Sequence, residues 1–375
     1  VSTDKNGEIA ADLPEGLYKA VEVQAPEQYD ISNSIYYFGI GASREAPTTM
    51  GVTQAIGIGG SSYDFIYSVA ETSYGGYIAG GRFSSDEIQL GDHTLENQGS
   101  YDGMIIKYNR EGEVEWARRE GGSDFDEINS VAETIDGGYI AVGYFESDEI
   151  QVGDYTLTNS GWSDGMIIKY SSEGEVEWAR SVGGSSDDQI NSVALTSDGG
   201  IVAGGYFDSK EIQVGDYTFT NNNSSGIPDG MIIKYSSEGE VEWARSVGEV
   251  NGEEITSVAS TSDGGVIAGG YFGSNKIQVG DYTLDNKVIG YDDGMIIKYS
   301  SSGEVEWARS VEGYRDDGIN SVASTNDGGA IAGGYFYSTE IQVGEYTLKN
   351  YGGNYYPSDG MIIKYSSEGE VEWAR

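Results

Sequence analysis

The sequence contains no cysteine. This excludes disulfides, thiolate nucleophiles and cysteine-bound zinc. It contains one histidine, His93, so imidazole clusters are excluded as well. Positive charge is scarce: 21 Lys and Arg stand against 62 Asp and Glu, a formal net charge of -41. Nucleic-acid binding depends on cations that displace counterions from phosphates, which excludes nucleic acid as a partner. An anionic membrane surface is disfavoured on the same ground. No apolar run approaches ~18 residues, so the sequence predicts no membrane-spanning helix. Leucine occurs only eight times and proline five. Glycine is abundant, at 57 of 375 residues and about twice the usual ~7%. Tyrosine reaches 29. Such a chain predicts strands and turns rather than helices.

Internal repetition dominates the sequence. The segment Gly-Met-Ile-Ile-Lys-Tyr starts at Gly103, Gly165, Gly230, Gly294 and Gly360. A Glu-Trp-Ala-Arg segment recurs in step, with Trp116, Trp178, Trp243, Trp307 and Trp373. Five copies of one unit therefore run over 59–120, 121–182, 183–247, 248–311 and 312–375, and residues 1–50 lack the unit. In the third copy the pattern predicts strands at Gln189 to Ala194, Ile201 to Phe207, Met231 to Tyr235 and Val241 to Val247. An extra hairpin is expected over Glu211 to Thr220. Gly199 and Gly200 supply the first turn, where positive φ is needed.

A four-stranded unit near this size is propeller-blade size. One sheet cannot bury both of its faces alone, so the blades must stack face to face. The Gly-Gly pairs of the second strand, such as Gly269-Gly270, predict close backbone approach. The fold expected is all-β: a β-propeller of about five visible blades. The segment Gly51 to Gly60 and the segment Glu370 to Arg375 both align with an outer strand, and either could close a ring.

The string Asp-Gly-Gly, Ile-Ala-Gly-Gly-Tyr-Phe, Asp-Gly-Met-Ile-Ile-Lys-Tyr, Glu-Trp-Ala-Arg resembles the repeat of bacterial secreted and cell-surface β-propeller proteins of the seven-bladed-repeat type. The resemblance covers about 59–375 and implies a fold more than an activity. Nearer the start, Leu13, Pro14, Gly16, Tyr18, Glu22, Ala25, Pro26 and Tyr29 resemble the C-terminal part of a prealbumin-like domain of the collagen-adhesin B type. That domain is common in Gram-positive surface proteins and pilins. Strands are expected at Leu17 to Val23 and Ile35 to Ile40. In that family a Glu at the position of Glu22 promotes a Lys–Asn isopeptide bond. Here the upstream lysine strand and the following asparagine are missing, so Glu22 reads as a strand carboxylate. The two resemblances imply a fragment of a longer, extracellular, cell-surface chain.

Candidate site residues lie where the copies differ. Variation falls in the loops before each Asp-Gly-Met and between each outer strand and the next copy. Loop tips on a fixed scaffold commonly carry specificity. Trp162, Tyr291, Tyr314, Tyr351, Tyr355 and Tyr356 fall there, and aromatic rings suit stacking on sugar faces. Asp187, Asp188, Asp316 and Asp317 offer oxygens to calcium, the one cofactor considered. The five aspartates before Gly-Met and the five glutamates before Trp recur in every copy. They read as turn caps and solvated strand faces rather than catalytic acids. The recurring lysines and arginines are expected in cross-strand ion pairs, each worth only a few tenths of a kcal/mol where exposed. His93 replaces a repeated tyrosine and reads as a structural substitution.

The expected function is a non-catalytic, multivalent adhesion module whose partner is a surface glycan or protein. An alternative is the subunit of an extracellular filament or surface layer, in which copies exchange the N-terminal strands. A carboxylate-based hydrolase on a propeller scaffold is the remaining alternative.

Overall fold

The computed structural model describes residues 55–375, apart from 222, 224–225 and 353–356, and the backbone of two earlier strands. The chain divides into two compact units, Val1–Ala55 and Ile56–Arg375. In the first unit β1 (Gly16–Val21) pairs antiparallel with β2 (Ile35–Ile40), close to the strands read from the sequence. The expectations resting on Leu13, Pro14, Glu22, Ala25, Pro26 and Tyr29 lie outside the described residues.

The second unit is all β. Its first copy runs β3 (Asp64–Glu71), β4 (Tyr77–Phe83), β5 (Glu87–Leu90), β6 (His93–Glu96), β7 (Asp102–Tyr108) and β8 (Val114–Glu120). Strands β3-β4-β7-β8 form one antiparallel sheet in that order, and β5 pairs with β6 as a separate hairpin. The arrangement recurs at 126–182, 188–247, 253–311 and 317–374. These are the five blades of a β-propeller, with inner, second, third and outer strands after the pattern of β3, β4, β7 and β8. Two strands of the third blade, Ile201–Phe207 and Val241–Val247, fall where the sequence puts them. Between its inner and second strands Gly199 sits at φ 88°, which only glycine takes without strain.

The third strand explains how blades become a core. In blade 3 every residue of Asp229–Tyr235 is buried. Side chains alternate across a strand. Met231 and Ile233 join the core shared with blade 2, while Ile232 joins the core shared with blade 4. The apolar run is thus two half-strands serving two interfaces.

Each junction is closed by the same latch. The Trp116 ring stacks on Tyr170 of the next blade at 6.0 Å, and its Nε1 donates to the Ser172 carbonyl at 3.1 Å. Trp178, Trp243 and Trp307 donate in the same way to Ser237, Ser301 and Ser367. These tryptophans thus pack between blades. Near the inner strands a glycine notch receives the next blade. A Cβ on Gly204 would stand 2.6 Å from Val258 Cγ1 and 2.8 Å from Ile255 Cγ2. The neighbouring Gly205 lies over the Gln189 carbonyl, beside a bulge at Ile190/Ser192.

Among the described residues blades 1 and 5 share no core. Val69 on the free face of blade 1 is 69% exposed, whereas its counterpart Val131 is 5% exposed. A Cβ on Gly333 in blade 5 would meet nothing within 4 Å. Of the two segments that could close a ring, 51–60 forms no strand over its described part, 55–60, and Val371–Ala374 is the outer strand of blade 5 itself. Gly60 instead donates its N–H to Asp64 at 2.8 Å, which fixes the segment by a clasp rather than a ladder.

The lysines form the expected cross-strand ion pairs, but from buried positions. Lys169, Lys234, Lys298 and Lys364 are buried, not exposed. Lys169 Nζ lies 3.0 Å from Asp136 and 2.8 Å from Glu177, and Lys234 bridges Asp198 and Glu242 likewise. The acids come from the inner turn and the outer strand, so each ammonium ties three strands together. The arginines reach across blades instead: Arg118 Nε donates to the Gly174 carbonyl of blade 2 at 2.9 Å.

Candidate ligand-binding rim

The two ends of the blades are chemically different. At one end lie the turns between third and outer strands, which recur as Ser-Ser-Glu-Gly in blades 2, 3 and 5. Ser236 Oγ there accepts the N–H groups of Glu238 and Glu240 at 3.2 and 3.3 Å, a self-contained turn. At the opposite end lie the loops that vary between copies, together with the loops joining successive blades. This end is called the rim.

Every variable loop hangs between two fixed posts. The first is an asparagine after the hairpin: Asn97, Asn159, Asn221, Asn286 or Asn350. Asn159 Nδ2 donates to the Trp162 carbonyl at 3.1 Å, and its Oδ1 accepts Gly161 N–H at 2.8 Å. Asn350 does the same with Pro357 and Gly352. The second post is the aspartate that opens the third strand. Asp102, Asp164, Asp293 and Asp359 accept the N–H of Gln98, Ser160, Lys287 and Tyr351 at 2.8–3.1 Å. Asp-Gly-Met is therefore a cap, as read from the sequence, and the stretch between the posts is free to vary.

Below the loops, buried carboxylates face one another across each junction. Asp188 in blade 3 accepts Ser209 Oγ at 2.6 Å and Gly184 N–H at 2.7 Å. Asp317 takes Ser338 Oγ at 3.0 Å. Burial pushes Asp164, Asp229, Glu253 and Asp317 up to about 7. The facing carboxylates Asp188, Glu253 and Asp293 add repulsion at Asp164, Asp229 and Asp317 respectively. Asp293 rises to about 6 for the same first reason.

The structure separates the residues considered for calcium. Asp188 and Asp317 are buried and engaged in these clasps, whereas Asp187 and Asp316 face the loops. Ser163 Oγ donates to Asp187 at 3.3 Å, and Asp316 Oδ1 accepts Asp292 N–H at 3.1 Å. Among the described residues no three acidic or histidine side chains converge as a metal site.

The tips carry the aromatic rings. Trp162 is 76% exposed, Tyr314 60% and Tyr351 87%, while Tyr291 is only just exposed. Tyr314 lies under the Lys287 ammonium at 4.6 Å. They are spread over blades 2, 4 and 5, with Tyr314 and Tyr351 both in the last, so they line one rim without forming one cluster. Tyr355 and Tyr356 lie outside the described residues. Sequence reasoning missed Tyr63, Phe125 and Tyr337, which are exposed at the same end.

It also missed an aromatic ladder on the inner strand of blade 1. Tyr63, Phe65 and Tyr67 follow at alternate positions, with ring centroids 6.5 and 5.9 Å apart and planes within 11°. Arg82 stands 4.0 Å from the Tyr101 ring centroid and pairs with Glu127 at 2.8 Å. The signal was present in the sequence. Glu127, Gln189, Glu254 and Gly318 occupy the place of Phe65 in the other copies.

The stretch Gly161-Trp162-Ser163-Asp164-Gly165 has the spacing of a nucleophile elbow. Its context is different, because Ser163 is buried, precedes a strand and faces an aspartate. His93 begins the second hairpin strand of blade 1.

A family model for the SpaA prealbumin-like fold domain matches residues 1–54. Among curated proteins the whole chain is 20% identical to an uncharacterized WD repeat-containing protein, L264, of Acanthamoeba polyphaga mimivirus, over 33% of that protein. A stretch covering 46% of the chain is 26% identical to regulatory protein FlaEY of Caulobacter vibrioides, over 19% of it. The chain thus spans a third or less of these relatives. Among solved structures, Sqt1 from Chaetomium thermophilum aligns over 84% of each chain, with 11% identity and a TM-score of 0.29. The WD40 β-propeller domain of Doa1 aligns over 74% of this chain and 92% of its own, with 9% identity and a TM-score of 0.26.

Proposed function

We propose that the chain is a non-catalytic, extracellular, cell-surface binding module that engages glycans through the rim. The observation that carries this reading is the distribution of exposed rings between the two ends. Tyr63, Phe125, Trp162, Tyr291, Tyr314, Tyr337 and Tyr351 are exposed at the rim, while Tyr74 and Tyr77 are exposed at the other end. Exposed rings offer flat apolar faces to the C–H faces of sugars. Carboxylates beside them, such as Asp187 near Trp162, accept hydroxyl hydrogens. Repetition over five blades provides several related sites, so weak single contacts gain avidity on a dense glycan surface. The prealbumin-like segment supports a surface location.

The state of the acids supports the non-catalytic reading. The carboxylates that open each third strand and those before each tryptophan are committed to clasps, caps and lysine bridges. Binding of the 375-residue chain to an array of surface glycans tests the reading. Retention that falls when Trp162 and Tyr351 are changed to Ala supports it. A chain that binds no glycan but captures a surface protein through the same loops replaces the ligand class and keeps the site.

A further inference from the structure

The two unpacked blade faces are the halves of one interface that occurs four times inside the chain. On the donor side of an internal junction stand a tryptophan, a serine and a glycine notch, the last replaced by Val142 in blade 2. On the acceptor side stand a tyrosine, an Ile–Val pair and a valine N–H. Ser68, Ser130, Ser192 and Ser257 Oγ accept the N–H of Val131, Val193, Val258 and Val322 in the following blade at 3.1–3.3 Å.

Blade 5 presents the same tryptophan, glycine and serine, its outer strand running over Val371–Ala374, with none of the described residues of another blade packed on them. Trp373 is half-buried, whereas the four internal latch tryptophans are buried. The Gly333 notch is empty, Ser321 is exposed and Ile362 is 49% exposed. Blade 1 presents a complete acceptor side. Val69 stands out from the inner strand, Ile66 is half-buried, and none of the ring stacks among the described residues places a tryptophan on Tyr108.

We propose that these faces bind each other between two copies of this chain, with blade 5 of one copy seated on blade 1 of the next. Four internal examples show what covers such a face, namely a unit of this same repeat. In the contact Trp373 stacks on Tyr108, and Val69 and Ile66 enter the Gly333 notch. Ser321 Oγ accepts the Val69 N–H. The contact is heterologous, so it builds a closed ring of chains or an open filament. The charge of -41 per chain opposes it, and added salt therefore strengthens it. This assembly is independent of glycan binding and differs from exchange of the N-terminal strands, because it uses whole blade faces.

The experiment is light scattering of the 375-residue chain and two variants over a wide concentration range. Val69→Glu blocks the acceptor face. Gly333→Glu blocks the donor face, and both positions are open in the single chain, so the blades keep their fold. The wild type is expected to grow in mass with concentration and salt. Each variant alone is expected to remain a monomer. The two mixed are expected to form a one-to-one dimer through their remaining faces, with none larger. A wild type that stays monomeric at every concentration overturns the proposal, whether its ends stay free or close on each other. Assembly that survives in both variants overturns it too, since other surfaces then carry the contact.

Discussion

At the residue scale the buried lysines matter most. Lys234 neutralises Asp198 and Glu242, and Asp198 is held down at about 2 with help from that ammonium. Replacing Lys234 by Ala leaves two carboxylates side by side without a cation. Breaking a fully buried pair costs ~3–5 kcal/mol, but both acids are partly solvated, so about 2 kcal/mol is expected. Lys107 has Glu115 alone, because Tyr74 stands where the other copies have aspartate. Lys107→Ala therefore lowers stability by less than Lys234→Ala. Thermal unfolding of the two variants checks the order. The burial was not legible from the repeat. Lys-Tyr beside Glu-Trp reads as an exposed strand face, and the second acid, Asp198, comes from a turn 36 residues away.

At the element scale the junction decides what substitutions do. A Cβ at Gly205 runs into the Gln189 carbonyl of its own sheet. Gly205→Ala is expected to lower stability by about 3 kcal/mol, at the upper end of overpacking effects. Gly333→Ala, in an open notch, is expected within about 0.5 kcal/mol of the parent. Trp178→Ala removes a buried ring and a hydrogen bond and is expected to cost about 4 kcal/mol. Trp373→Ala, on the free face, costs much less. Denaturant unfolding of the four variants tests the pattern, and equal costs for Trp178 and Trp373 would contradict it.

Strand positions in the blade were legible because turns, Gly-Gly pairs and apolar alternation all agree at this scale. The ladder at Tyr63, Phe65 and Tyr67 was harder to see. Averaging over five copies hides what one copy does alone. The same averaging made Trp162, Tyr314 and Tyr351 visible, since they fall in loops that break the repeat. The free faces were illegible, because their residues are those of every buried junction.

At the scale of the whole molecule acidity shapes stability. Asp164, Asp229, Glu253 and Asp317, raised to about 7 by burial, favour the folded state while protonated. Their contribution is whole below the ordinary carboxyl range of ~4 and is lost as pH rises through 7. Asp136, Asp198 and Asp263, lowered to about 2, act oppositely. Their contribution is present above ~4 and is lost as pH falls toward 2. The stability maximum is therefore expected near pH ~4–5, with a decline toward pH 8. Melting temperature against pH checks this, and a maximum above neutrality would contradict the account of the clasps.

The central claim is that one end of the blades binds and the other end only holds the fold. Its most direct test compares glycan retention by three forms of the chain: the parent, Trp162→Ala/Tyr351→Ala at the rim, and Tyr74→Ala/Tyr77→Ala at the opposite end. The account predicts that the rim variant loses most of its retention while its melting temperature is unchanged, and that the opposite-end variant matches the parent. Retention lost at the opposite end and kept at the rim would contradict it.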